Sequence, residues 1–260
     1  MQPHSQATLA GIRLIAHDSV GSTNAEALAL ARAGSRLPAW VMARRQTAGR
    51  GRRGRAWVSP PGNLYATLLL IDPCGAELAP QLSFVGGLAA HDAVSEAALL
   101  LSLRLRLKWP NDLLLDGRKL AGVLVEGERL GDGTFAVAVG VGINCSSHPE
   151  NAAYPATNLA VAGSPVVPDE LFETLARAMA VRLAQWRRGA NFSVIRADWL
   201  ARSFAIGETI RLRTPEETEG RFAGIDEQGR LLLETPNGLR TVAAGDLSWP
   251  GEAGAGEGAA

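Results

Sequence analysis

Four arginines and three glycines make up the seven residues Gly49-Arg50-Gly51-Arg52-Arg53-Gly54-Arg55. Each guanidinium carries a permanent charge and a planar fork of donors that fits phosphate or carboxylate. Glycine lets the backbone turn through positive φ and approach a ligand closely. The spacing predicts a flexible loop that wraps an anion. The same residues also fit G-x-G-x-x-G, but a dinucleotide fingerprint must follow a strand and open a helix. Here Pro60 and Pro61 follow, and then the apolar run Leu64–Ile71, so no helix starts at the right distance. The only two lysines are Lys108 and Lys119, in a chain whose other basic residues are all arginine. Both fall in one run from Lys108-Trp109-Pro110-Asn111-Asp112 to Arg118-Lys119-Leu120-Ala121-Gly122 and on to Glu126. Such sites call for a compact ammonium on a flexible stem, which a guanidinium does not replace.

Composition narrows the chemistry. The chain has 260 residues, 47% of them hydrophobic and 20% charged, enough for one large domain or a domain with a small module. Its formal net charge is zero, which argues against a general nucleic-acid binder, whose affinity rests on summed phosphate neutralisation. Cys74 and Cys145 form no C-x-x-C motif and are not joined by clustered histidines, so no zinc site is expected. Two isolated thiols suit a reducing compartment and a cytoplasmic protein. No stretch approaches the roughly 20 apolar residues that span a bilayer.

The elements that must carry these residues follow from pattern. Ile12–Ala16, Trp40–Arg44, Leu64–Ile71, Leu103–Leu107, Val123–Glu126 and Phe135–Gly140 read as strands. A helix opens at Ser22-Thr23-Asn24-Ala25-Glu26, where Thr23-x-x-Glu26 fits a capping box, and stops at Gly34. Gln81–Leu101, Asp169–Arg188 and Phe192–Arg202 read as helices. From Glu208 onward, short β-type runs separated by Pro215, Gly229 and Asn237-Gly238 predict a small barrel-like module. Gly251–Ala260 is a glycine, alanine and glutamate tail with nothing to bury.

Four motifs stand in register. They are Gln46-Thr47-Ala48-Gly49-Arg50-Gly51-Arg52-Arg53-Gly54-Arg55-x-Trp57, Lys108-Trp109-Pro110-Asn111-Asp112, Arg118-Lys119-Leu120-Ala121-Gly122 and Gly140-Val141-Gly142-Ile143-Asn144. With Ser22-Thr23-Asn24 upstream, the chain resembles the biotin protein ligases from about Asp18 to Asp246. The resemblance implies an α+β fold: a mixed-sheet catalytic domain over 1–205, a small C-terminal SH3-like β-barrel over 206–249, and a disordered tail over 250–260. It also implies the activity. Biotin's carboxylate attacks the α-phosphate of ATP to give biotinyl-5′-AMP, and a lysine of a biotin carboxyl carrier domain then attacks the mixed anhydride. Both nucleophiles arrive with substrates, so the site must supply positioning and charge stabilisation rather than a Ser-His-Asp set.

The roles carry over residue by residue. Ser22, Thr23 and Asn24 would line the biotin pocket, and Gln46 would pair with the biotin head or its amide region. Arg50, Gly51 and Arg52 would fold over the acyl-adenylate, with Arg55 on the ATP side and Trp57 closing against the ligand. Lys119 would contact the biotin carboxylate and the α-phosphate. Lys108 would take a phosphate or support the loop, Asn111 would touch adenine or phosphate, and Asn144 would sit on the nucleotide side. Asp112 would be either a Mg²⁺ ligand or the proton acceptor for the incoming lysine. A lipoate- or octanoate-type ligase of the same superfold is the alternative, disfavoured by the glycine–arginine loop followed by Lys-Trp-Pro-Asn-Asp. Only 21 residues precede Ser22, too few for the winged helix-turn-helix of the repressor members, so no DNA binding and no membrane partner are expected. The expected state is a monomer or weak homodimer.

Overall fold

A computed structural model describes residues 5–9, 11–150, 154–213 and 218–248. Pro215 and the 250–260 tail lie outside the described residues. The first eight strands are β1 (Ser5–Leu9), β2 (Ile12–Val20), β3 (Ala39–Gln46), β4 (Leu64–Ile71), β5 (Leu105–Lys108), β6 (Asp112–Leu115), β7 (Arg118–Arg129) and β8 (Phe135–Ile143). They form one sheet in the order β1-β2-β3-β4-β8-β7-β6-β5. The β2–β3 pair is parallel and the other pairs are antiparallel, so the sheet is mixed.

Helices cover both faces of the sheet. On one face, α1 (Thr23–Arg32) packs Ala27, Leu28 and Ala31 onto Val41, Leu69, Ala136 and Ala138. On the other, α2 (Leu82–Ala97) packs on Leu68, Val123, Val137, Val139 and Val141. Beside α2 lies α3 (Pro168–Trp186), whose Phe172 meets Trp40 of β3 edge to face, and α4 (Phe192–Ala201) packs against both helices. Burial on both faces makes β4 a nearly continuous apolar run in which Thr67 is the one polar residue of the interior.

The helix ends correct two expectations. Ser22, not Thr23, is the N-cap of α1, and its side chain makes no cap bond. Thr23 is the first helical residue, and its hydroxyl donates to Gln46 instead of closing a capping box. The helix expected over Gln81–Leu101 stops at Ala97, because Ala98 leaves helical geometry at φ −131°. Leu99–Arg104 then forms a tighter turn, and the strand begins at Leu105.

After α4 come β9 (Thr209–Arg213), β10 (Thr218–Ile225), β11 (Leu231–Thr235), β12 (Gly238–Val242) and β13 (Asp246–Ser248). They form a five-stranded antiparallel sheet in the order β12-β11-β10-β9-β13. No ladder joins β12 to β13 among the described residues, so the expected barrel is an open sheet here. Gly229 (φ +82°) and Gly238 (φ +106°) supply the left-handed turn positions. Among the described residues, no helix is long and apolar enough to cross a membrane.

One ion-pair cluster ties the helical layer together. Arg182 of α3 is buried, and its guanidinium lies 2.7 Å from Asp92 of α2 and 2.5 Å from Asp198 of α4. Burial alone would raise the Asp92 carboxyl, but its neighbours His91 and Arg182 outweigh it and hold the group below its usual range. Breaking a buried pair leaves the remaining charges uncompensated. Arg182→Met is therefore expected to destabilise the fold by about 3 kcal/mol, near the low end for buried pairs because each carboxylate keeps some solvent. The check is the urea midpoint, which should fall without a change in slope.

Candidate active site

The site begins with glycines on two neighbouring strands. Gly122 of β7 and Gly142 of β8 are cross-strand partners, and they open a flat floor on the α1 side of the sheet. The Trp57 indole lies across it: a side chain at Gly142 would start 2.7 Å from Trp57 Nε1, and one at Gly122 would start 3.3 Å from the ring. Trp57 Nε1 is buried without a hydrogen-bond partner. Two residues along β8, a side chain at Gly140 would collide with the Asn24 amide. The alternation of strand side chains places Gly140 and Gly142 on this face, while Val139, Val141 and Ile143 point into the core under α2.

A buried polar chain runs beside the floor. Gln46 Oε1 accepts from Thr23 N at 2.9 Å and from the Thr23 hydroxyl at 3.1 Å, and Gln46 Nε2 donates to Ser59 Oγ at 2.9 Å. Ser59 Oγ in turn donates to Trp57 O at 2.8 Å. Thr67 Oγ1 stands 2.8 Å from Thr23 Oγ1 and 2.7 Å from Asn24 Oδ1. The Asn24 amide donates to Glu126 Oε2 at 2.8 Å and to Leu124 O at 3.2 Å, which fixes its orientation. Counting protons exposes a deficit. Three oxygen–oxygen contacts, Thr67–Asn24, Thr67–Thr23 and Thr23–Gln46, share two hydroxyl protons. The cluster has room for one more donor.

The glycine–arginine segment closes over this region. Trp57 N donates to Gly49 O at 2.9 Å and Gly51 N donates to Arg55 O at 2.7 Å. Gly49 is required by close approach, since a side chain there would start 2.5 Å from Trp57 O. Gly54 supplies the positive φ, at +73°. Gly51, at φ −105°, has an extended backbone that other residues also adopt. Arg50 pairs with Glu126 at 3.1 Å, and Arg52 Nη1 donates to Asn111 Oδ1 at 3.4 Å. Arg55 Nε donates back to Arg52 O at 3.3 Å.

Lys119 and Asp112 meet on neighbouring strands, with Nζ 2.7 Å from Oδ1. Lys119 Nζ is also 5.3 Å from the Trp57 ring centroid. Asn111 is locked to β7: its side-chain amide donates to Val123 O at 2.7 Å and its backbone carbonyl accepts from Val123 N at 2.9 Å. The structure thus brings together Lys119, Asp112, Trp57, Asn111 and Arg52. It joins Thr23, Gln46 and Asn24 in the polar chain, with Ser22 buried at the head of α1. Lys108 is buried with Nζ 3.4 Å above the Tyr154 ring. Asn144 is buried at a seam, donating to Thr157 O at 3.0 Å.

Sequence reasoning missed Thr67, Ser59 and Glu126. Thr67 had a readable signal as the lone polar residue within Leu64–Ile71. Ser59 and Glu126 had none, since both types are ordinary at a loop and on a half-exposed strand. Neither cysteine offers a nucleophile. Burial pushes the Cys145 thiol up to about 11, and burial raises Cys74 as well, so both remain thiols near neutral pH.

This geometry defines an anion-gathering site on a mixed sheet, with no protein nucleophile in it. The family model described as "Biotin/lipoate A/B protein ligase family" matches residues 22–144, and the one described as "Biotin protein ligase C terminal domain" matches residues 205–248. The biotin--[acetyl-CoA-carboxylase] ligase of Paracoccus denitrificans is 45% identical over 88% of this chain and 98% of its own length. The corresponding ligase of Mycobacterium tuberculosis is 37% identical over 87% and 85%. The biotin protein ligase of Aquifex aeolicus in complex with biotin and ATP superposes with a TM-score of 0.76 at 29% identity, covering 90% of this chain and 97% of that one. The chain belongs to the biotin protein ligase family.

The glycine floor makes a prediction. Overpacking a close contact costs about 1–3 kcal/mol. Gly142→Ala should lift Trp57 off the floor and open the loop, raising the open population roughly 5- to 150-fold at that cost. Limited trypsin cleavage after Arg50, Arg52, Arg53 or Arg55, followed by mass spectrometry, tracks that population.

Proposed function

We propose that the residues gathered here carry out biotin activation and transfer in two steps. First, a biotin carboxylate oxygen bonds to the α-phosphorus of ATP and the bond to pyrophosphate breaks, giving biotinyl-5′-AMP. Second, the ε-amine of a carrier-domain lysine bonds to the acyl carbon, AMP leaves, and the amine loses its proton. Lys119 holds the carboxylate and the α-phosphate together, and Asp112 orients its ammonium. Asp112 is also the carboxylate suited to take the proton of the incoming amine.

The observation that carries the reading is the missing proton in the polar chain. A cyclic urea presents N–H donors to Thr23, Asn24 and Gln46, whereas the dithiolane ring of lipoate or the alkyl chain of octanoate presents none. This favours biotin over the lipoate-type alternative of the same superfold. Ser22 completes the wall, Trp57 covers the ring, and Arg50, Gly51 and Arg52 close the loop. Arg52, Arg55, Lys108, Asn111 and Asn144 stand on the nucleotide side of this proposal.

Among the described residues, no cluster of three metal-ligating side chains exists. Asp112 is one carboxylate already paired to Lys119. That donor set fits Mg²⁺ carried in on ATP phosphates with at most one protein ligand. When bound there, Mg²⁺ would supply charge neutralisation on the phosphates.

We further propose two functional units, 1–205 for catalysis and 206–249 for its support. The partner is a biotin carboxyl carrier domain of a biotin-dependent carboxylase, met in the cytoplasm by a monomer or weak homodimer. Zero net charge supports action on a protein rather than on DNA.

The test is ATP–pyrophosphate exchange. It should require biotin and be unsupported by lipoate or octanoate; absence of biotin-dependent exchange in folded protein overturns the reading. Removing one preorganised charge-stabilising donor costs roughly 10²–10³ in rate. Lys119→Ala should lose that much exchange activity, and Lys119→Arg should also lose heavily, because Gly122 and Trp57 leave little room around the ammonium. Wild-type exchange in Lys119→Arg would show that a point charge is not required.

A further inference from the structure

The turn that carries Asn111 and Asp112 has its front in the site and its back on the C-terminal sheet. It joins β5 and β6, two four-residue strands at the edge of the main sheet. So short an edge hairpin is marginal by itself. The outer edge of β5 is covered by the segment leading into the C-terminal sheet: Leu107 N donates to Arg202 O at 2.8 Å, and Phe204 N donates to Leu107 O at 2.7 Å.

The tip of the hairpin is bonded to β7 through Asn111, to α2 through Ser83 Oγ, which donates to Pro110 O at 3.0 Å, and to the C-terminal sheet through Trp109. Trp109 is 2% exposed, and its Nε1 donates to Gly229 O at 3.1 Å. Gly229 belongs to the turn between β10 and β11, and that turn is braced within itself. Asp226 Oδ1 accepts from Gln228 N at 3.0 Å and Arg230 N at 2.8 Å, while Asp226 Oδ2 accepts from Arg230 Nε at 2.7 Å. Gly229 also sits tightly on α2, where a side chain would start 2.7 Å from Phe84 Cε2. Just beyond Trp109 stand Asn111, which receives Arg52, and Asp112, which holds Lys119.

We infer that the Asp226–Arg230 turn is a positioning element of the active site, with the Gly229 carbonyl fixing Trp109 and through it Asn111 and Asp112. The inference rests on the proposed function for its nucleotide side. It divides the site in two. The polar chain of Thr23, Gln46, Ser59 and Thr67 is built from α1, β3, β4 and the loop before β4, and none of its bonds reaches β10 or β11. Loosening the turn should therefore weaken ATP handling and leave the biotin side alone.

Trp109→Phe keeps the ring volume nearest to the indole and deletes the donor, leaving a buried carbonyl unmet. That loss corresponds to roughly a 5- to 150-fold effect. The expected result is a rise in KM for ATP or a fall in exchange rate within that range, with the biotin Kd measured without ATP by calorimetry held within about twofold. Asp226→Ala is the second variant. It softens the turn from within, without touching Trp109, and should give the same split at smaller size. Exchange kinetics equal to wild type in both variants would overturn the inference. So would parallel losses of biotin and ATP affinity, which would mean general loosening. Failure of wild-type exchange would strike the proposed function instead, so the two failures are separable.

Discussion

The pairing of Lys119 with Asp112 governs how the surrounding elements are arranged. To place one ammonium beside one carboxylate at 2.7 Å, β6 and β7 must run antiparallel with a register shift between Leu113 and Leu114. The shift brings Lys119 opposite Leu114 and Asp112 opposite Gly122. The backbone of Lys119 is then held from its other side, donating to Pro155 O at 2.8 Å and accepting from Thr157 N at 3.0 Å. Asn144 secures that same segment. A residue expected on the nucleotide side thus has a visible structural duty, fixing the segment that holds Lys119.

Around this pair the structure relies on small residues and buried hydrogen bonds in place of reactive groups. Gly122 and Gly142 clear the space that Trp57 fills, and Gly140 clears the space for Asn24. Buried polar networks carry a high penalty if left partly satisfied, and they fix a unique arrangement when complete. Here the chain from Glu126 through Asn24, Thr67, Thr23, Gln46 and Ser59 is complete except for one proton.

Much of this was legible in the sequence, and the gaps have physical causes. Leu64–Ile71 was readable to the residue because burial on both faces leaves an unbroken apolar run between turn signals. The β6 strand was not, since Asp112–Leu115 has three leucines and no alternation. β13 is only three residues long. The helix start was misread by one residue because threonine serves equally as a cap or as a site residue. The motif residues of the loop and of β7 were visible as types and spacing. Their partners Glu126, Thr67 and Ser59 were not, because a pairing between distant strands leaves no trace in local pattern. The contact of Trp109 with Gly229, 120 positions away, is the extreme case.

The division of labour between arginine and lysine now has a structural basis. Arginines populate half-exposed ion pairs such as Arg32–Glu128, Arg177–Glu96 and Arg211–Glu219, where a planar fork suits a carboxylate and each pair contributes about 0–1 kcal/mol. Both lysines occupy crowded places against aromatic rings: Lys108 lies over Tyr154 and Lys119 beside Trp57. A side chain at Gly122 would begin 3.5 Å from Lys119 Nζ and 3.3 Å from the Trp57 ring, so it would fill the space between them. A guanidinium spreads its charge over three nitrogens and needs width that the floor gives to the indole. In a chain that otherwise uses arginine, lysine is kept where a charge must stand close to strand backbone and a ring at once.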